Sequence, residues 1–125
     1  MSVGTRIAAT AVAGIATLAL AVPAQATTSV FIYTYPTSVK CHTVGTAGVS
    51  ASVFANYTCL FGFAGYSLNV EPTGATFSEV YLDTYDTSTN ANFAGANGAT
   101  SSPKTWGSYR LRPGIAGWDL LVSSV

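Results

Sequence analysis

Few residues in this chain could do covalent chemistry, and their spacing argues against it. The single histidine, His42, stands next to Cys41, and the second cysteine is Cys59. A Ser-His-acid or Cys-His site needs a base that takes the nucleophile's proton. If the two cysteines pair, the thiol is lost and His42 is simply the neighbour of a disulfide. The G-x-S-x-G, H-E-x-x-H and phosphate-loop patterns are all absent. Two carboxylates could run glycoside hydrolysis, with Asp83 and Asp86 or Glu71 and Glu79 as pairs. The acids are scattered, however, and a domain of this size has little room for a deep cleft. Asp86, Ser88, Asn90 and Asn92 offer oxygens at alternate positions, like the first half of a calcium loop. Ala91 stands where the sharp-turn glycine belongs and Asn97 where the bidentate glutamate belongs, so the expectation is an Asx-rich loop without metal. Two cysteines and one histidine make an incomplete zinc set. The residues therefore predict no catalytic apparatus, no metal and no cofactor.

Aromatic and basic side chains are more promising. The stretch KTWGSYRLRPG, residues 104–114, sets Lys104, Arg110 and Arg112 beside Trp106 and Tyr109. If Thr105 to Arg112 is a strand, alternation puts Trp106, Ser108, Arg110 and Arg112 on one face and Tyr109 and Leu111 on the other. The second face reads as core. The first would be a platform able to stack a flat group and pair with an anion. Phe31, Tyr33 and Tyr35 likewise alternate with Val30, Ile32 and Thr34, so one face of the first strand should carry three rings in a row. Trp106, Arg110, Arg112, Tyr33 and Tyr35 are thus the expected ligand-binding residues.

The elements that must position these groups begin after an export signal. Residues 1–26 contain Arg6, an apolar run from Ile7 to Val22, the helix-breaking Pro23 and Ala24-Gln25-Ala26. That is the tripartite pattern of a Sec signal peptide with an A-x-A cleavage site. The apolar run is shorter than the roughly 20 residues that cross a bilayer. Residues 27–125 should be one secreted β-domain, extracellular or attached to the cell wall, with no membrane contact after cleavage. Its charges are Lys40, Lys104, Arg110 and Arg112 against Glu71, Glu79, Asp83, Asp86 and Asp119. So sparse and near-neutral a set excludes nucleic acid as a partner, because phosphate binding needs several cations on one face. In an oxidising compartment the even cysteine count reads as one disulfide, Cys41–Cys59, which would stabilise the fold by about 3 kcal/mol.

Beyond the signal no helical periodicity is sustained, and β-branched, aromatic, glycine and hydroxyl residues dominate. Strands are expected at Ser29–Tyr35, Val39–Thr43, Val49–Asn56, Tyr57–Phe63, Tyr66–Val70, Thr76–Tyr85, Thr105–Arg112 and Trp118–Ser123. Short runs broken by Pro and Gly point to an all-β fold, a small antiparallel β-sandwich of immunoglobulin size with seven or eight strands and one disulfide. Residues 86–102, DTSTNANFAGANGATSS, carry no strand pattern and read as a long loop. No internal repeat is apparent. Tyr57-Thr58-Cys59 resembles the Y-x-C tyrosine corner of immunoglobulin domains. Cys41 lies only 18 residues upstream, with no tryptophan between the cysteines, which excludes membership of that family. Asn56-Tyr57-Thr58 matches an N-glycosylation acceptor.

The functional expectation is a non-catalytic domain that binds an extracellular glycan or protein through an aromatic and arginine face. A protein inhibitor of an extracellular hydrolase, or a structural envelope or spore-surface protein, are the alternatives.

Overall fold

The computed structural model describes residues 29–124, so the expected signal peptide lies outside the described residues. The chain runs β1 (Val30–Tyr35), α1 (Ser38–Ser50), β2 (Phe54–Gly62), β3 (Gly65–Pro72), β4 (Val80–Tyr85), α2 (Ser88–Thr100), β5 (Ser108–Gly114) and β6 (Gly117–Ser123). The strands form two three-stranded antiparallel sheets, ordered β1-β3-β2 and β4-β6-β5. The fold is mostly β and sandwich-like, with six described strands instead of seven or eight, and two helices that composition concealed.

The chain is a tandem duplication of one β-α-β-β unit. Each unit has the same element order and the same strand order in its sheet. Both first strands carry a bulge at the same place, at Ile32 between Phe31 and Tyr33 and at Leu82 between Tyr81 and Asp83. The written signal of the repeat is short: Thr34-Tyr35-Pro36-Thr37-Ser38 matches Thr84-Tyr85-Asp86-Thr87-Ser88, and Gly62-Phe63-Ala64-Gly65-Tyr66 matches Gly114-Ile115-Ala116-Gly117-Trp118. The first motif starts a helix. Thr37 and Thr87 are N-caps in extended backbone, each accepting a 3.1 Å hydrogen bond from the amide three residues on, that of Lys40 or Asn90. The second motif closes a hairpin. Gly65 and Gly117 lie at φ +134 and +141, where a side chain is strained, and a Cβ on either would strike the carbonyl of Tyr35 or Tyr85.

Each helix brings a pair of glycines against the large rings of its sheet. Gly45 and Gly48, three apart and so on one face, lie under the rings of Tyr57 and Phe54. Gly95 and Gly98 lie under Tyr109 and Trp106 in the same way. The ring hydroxyls are held alike: Tyr57 shares a 2.9 Å hydrogen bond with His42 Nδ1, and Tyr109 donates at 2.5 Å to Asn92 Oδ1. After each helix the chain returns to a matched hydrogen bond, Val53 N donating to Gly48 O and Thr105 N to Gly98 O, both at 2.8 Å, although the second turn is two residues longer. One matched contact differs in chemistry. Cys41 and Cys59 join α1 to β2 as the expected disulfide, where the second unit places Ala91 and Leu111.

These helices account for three departures from the sequence reading. Val39–Thr43 and the start of Val49–Asn56 belong to α1, not to strands. Most of residues 86–102 is α2. Neither helix shows an amphipathic stripe, because its buried face is made of glycine, alanine and cysteine with Val44 as the one larger apolar residue, and most large apolar groups are supplied by the strands.

The two units cover each other. α2 packs on β1 of the first unit as well as on β5 and β6, and α1 touches β4. Asn97 on α2 donates at 2.7 Å to the carbonyl of Ile32, the bulged residue of β1. Two pairs of equivalent residues meet across the seam: the Tyr35 and Tyr85 hydroxyls at 2.7 Å, and the Phe54 and Trp106 rings with centroids 6.4 Å apart. A group meets its own counterpart only at a twofold axis, so the approximate axis relating the units runs by both pairs.

Candidate functional site

The expected platform is not formed. Trp106 is 0% exposed, seated on Gly98 with its indole N–H donating at 2.8 Å to the carbonyl of Gly95. Strand β5 begins only at Ser108, so the alternation that places Arg110 and Arg112 outward does not extend back to Trp106. Tyr109 and Leu111 do form the half-buried side of that strand, packed against the core. Arg110 and Arg112 are exposed and already engaged, with Glu79 at 2.5 Å and with Asp119 at 2.9 Å. Thr84 also donates at 2.6 Å to Asp119, and its hydrogen bond, followed by those of Arg112, holds that carboxyl below the usual carboxylate range.

The first-strand aromatics are brought together, but as a graded row. Phe31 is 39% exposed at one end and Tyr35 is 2% exposed at the other, with Tyr33 half-buried between them. Tyr33 lies edge-on to both Tyr35 and Tyr85, ring centroids 5.0 Å away in each case, and Phe93 of α2 extends the row toward Phe31.

This row ends in a cleft of about 320 Å³ on the seam, lined by Tyr33, Tyr35, Lys40, Asp83, Tyr85 and Asp86, with Pro36, Thr37, Thr84 and Asn90 completing the wall. Its position follows from the repeat. The bulges at Ile32 and Leu82 re-aim the ends of β1 and β4, and the two TY-x-TS motifs then bring both helix starts to the same opening. Sequence reasoning found Tyr33 and Tyr35, weighed Asp83 as a catalytic acid and Asp86 as a catalytic acid or calcium ligand, and missed Lys40. The matching TY-x-TS motifs were the available signal.

Electrostatics in the cleft are uneven. Asp83 is buried, its side chain 7% exposed, and its Oδ1 takes a 2.7 Å ion pair from Lys40, whose side chain is 43% exposed. Oδ2 has no hydrogen-bond partner. Burial raises the Tyr33 hydroxyl above its usual range, and the negative charges of Asp86 and Asp83 raise it further. Burial also drives the paired hydroxyls of Tyr35 and Tyr85 well above that range, so both stay protonated. The cleft thus presents ring edges and faces, a lysine donor, a carboxylate acceptor and neutral hydroxyls. Nothing in it is arranged as a nucleophile with its base. His42 lies elsewhere, bonded to Tyr57. Among the described residues no three His, Cys, Asp or Glu side chains come together to hold a metal.

Comparison with protein families, curated proteins and solved structures finds no match to this chain.

Proposed function

We propose that this chain is a small secreted, non-catalytic domain that binds an extracellular glycan, with the seam cleft as its contact in place of the Trp106 face. The observation that carries the reading is the Lys40–Asp83 pair set among Tyr33, Tyr35 and Tyr85. A sugar hydroxyl donates to a carboxylate and accepts from an ammonium at once, while the C–H faces of the ring pack on aromatic side chains. The cleft volume lies at the small end of the range usual for ligand sites, which suits one or two sugar units. An immunoglobulin-sized sandwich remains a useful comparison for overall dimensions. Export through the N-terminal signal fits the disulfide.

Binding isotherms of the mature protein against a panel of insoluble and soluble polysaccharides test this. Retention on at least one glycan, lost in Tyr33→Ala and Lys40→Ala variants that stay folded, is the expected result. Failure to bind any of them overturns it.

A second reading has one observation of its own. Leu60, Phe61 and Phe63 are exposed together at the β2–β3 hairpin, with Phe63 fully so, and an apolar tip of that kind suits a protein partner such as a hydrolase. Inhibition assays against secreted glycosidases and proteases, repeated with Phe63→Ser, distinguish this from glycan binding.

A further inference from the structure

The aromatic row does not stop at the mouth of the cleft. Tyr33 lines the cleft, and its ring centroid lies 6.2 Å from that of Phe93 on α2, which in turn lies 6.5 Å from that of Phe31 on β1. Phe93 is 51% exposed and Phe31 39% exposed, so two large rings from different elements keep much of their apolar surface in water. A second link runs along the helix. Asn90 also lines the cleft and precedes Phe93 by three residues, which puts both on one face of α2. Asn97, four residues beyond Phe93 on the same face, donates to the carbonyl of Ile32, between Phe31 and Tyr33, and so ties the helix to β1 alongside the row.

The row leaves the cleft on one side only. At the matched places in the other half, Asp83 replaces Tyr33, Lys40 replaces Asn90 and Thr43 replaces Phe93. Tyr81, in the place of Phe31, is aromatic, but its hydroxyl is engaged with Thr84 Oγ1 at 2.7 Å. A ring at the Phe93 position is not needed for a helix to meet the other unit's first strand, since α1 touches β4 with Thr43 there.

The composition of the row narrows what it can take. Neither Val30–Tyr35 nor Ser88–Thr100 contains an acidic or basic residue, so beyond the cleft the surface offers C–H contact and neutral hydrogen bonds without ion pairing. Its rings also exclude a flat target. Phe93 is inclined by 66° to both Phe31 and Tyr33, so no single plane lies against all three. A crystalline polysaccharide presents one plane, whereas a single glycan chain turns at each glycosidic bond and meets such rings one at a time.

Resting on the glycan reading above, we propose that Asn90, Phe93 and Phe31 form an outer subsite, and that the ligand is a single, neutral glycan chain several units long. One stretch of the chain occupies the cleft, and the rest runs out along the junction of β1 with α2. Sugar C–H faces pack on Phe93 and Phe31, and the Asn90 amide supplies a donor and an acceptor for hydroxyls near the join.

The test is calorimetric titration of the mature, disulfide-intact protein with cello-, malto- and N-acetylglucosamine oligomers of two, four and six units, with oligogalacturonate as the anionic comparison. In a neutral series that binds, affinity should rise about fivefold or more as the chain lengthens, the worth of one or two ring contacts. Phe93→Ala, an exposed helix position given the best helix former, should keep the fold and remove most of that rise. Phe93→Tyr should retain the rise, and Tyr81→Ala on the other side should leave it intact. Affinity independent of length, or a rise equal in Phe93→Ala and wild type, overturns the outer subsite and leaves binding in the cleft standing. Tighter binding of oligogalacturonate than of every neutral oligomer overturns the neutral assignment. Retention on crystalline cellulose or chitin without binding of any soluble oligomer overturns the single-chain assignment. Loss of binding to every oligomer and to the wider polysaccharide panel overturns the glycan reading itself.

Discussion

Tyr35 and Tyr85, 50 residues apart and equivalent in the two units, share a buried 2.7 Å hydroxyl–hydroxyl hydrogen bond at the centre of the seam. Each hydroxyl is the other's partner, so Tyr35→Phe or Tyr85→Phe leaves a buried group unpaired and should cost about 1–3 kcal/mol. The double Phe variant should lose less than the two singles added together, since it removes both polar groups. Urea denaturation of the four proteins gives the coupling energy directly.

The same pair sets an alkaline limit. Both hydroxyls have folded-state pKa values raised above the ordinary tyrosine value of about 10, which is where the unfolded chain releases these protons. Their contribution to stability is therefore fully present below about pH 10 and is lost as pH rises beyond it. Urea midpoints should fall across that range, and the decline should be shallower in the double Phe variant. Tyrosinate absorbance should show these two residues ionising only with unfolding.

Gly45→Ala, Gly48→Ala, Gly95→Ala and Gly98→Ala should each destabilise the protein, although alanine favours a helix by about 1 kcal/mol. A Cβ at any of these positions runs into the ring of Tyr57, Phe54, Tyr109 or Trp106. Overpacking of this kind costs about 1–3 kcal/mol, and the rings are held by buried neighbours that cannot retreat freely. Gly74→Ala, where a Cβ meets open space, serves as the control and should be near neutral.

Reducing the disulfide should cost about 3 kcal/mol. The second unit places Ala91 and Leu111 at the positions of the two cysteines, both in or against the core. A Cys41→Ala/Cys59→Leu protein should accordingly be more stable than Cys41→Ala/Cys59→Ala, and both should be compared with the reduced wild type by thermal melting.

Trp106→Ala should cost about 3–5 kcal/mol, as expected for a fully buried ring that also carries a satisfied N–H. Arg110→Ala and Arg112→Ala break exposed ion pairs and should each change stability by less than about 1 kcal/mol. Acrylamide quenching should leave the Trp106 contribution to fluorescence protected.

How legible the fold was depended on which element carried the large side chains. Val30–Tyr35, Phe54–Gly62, Gly65–Pro72 and Gly117–Ser123 alternate or cluster apolar residues and were readable as strands in whole or in part. The helices were not, because Gly45, Gly48, Gly95 and Gly98 are where a pattern-based reading looks for leucine. The repeat is faint in the sequence for a related reason: shape is matched while identity drifts, as Phe54 and Trp106 or Cys41–Cys59 and Ala91–Leu111 show. Half of the site was visible as the Phe31-Tyr33-Tyr35 row. The other half needs the duplication, since Lys40 and Asp83 meet only when the two units are placed about their axis.

The seam also has the form of an isologous subunit interface. Tyr35 against Tyr85 and Phe54 against Trp106 are the self-facing contacts of a twofold homodimer, now tied into one chain by the segment between Pro72 and Val80. The first unit alone would lack α2, which covers its first strand here. Within one chain the two halves need not match, so Lys40 can stand where the second unit has Asn90, and Asp83 where the first has Tyr33.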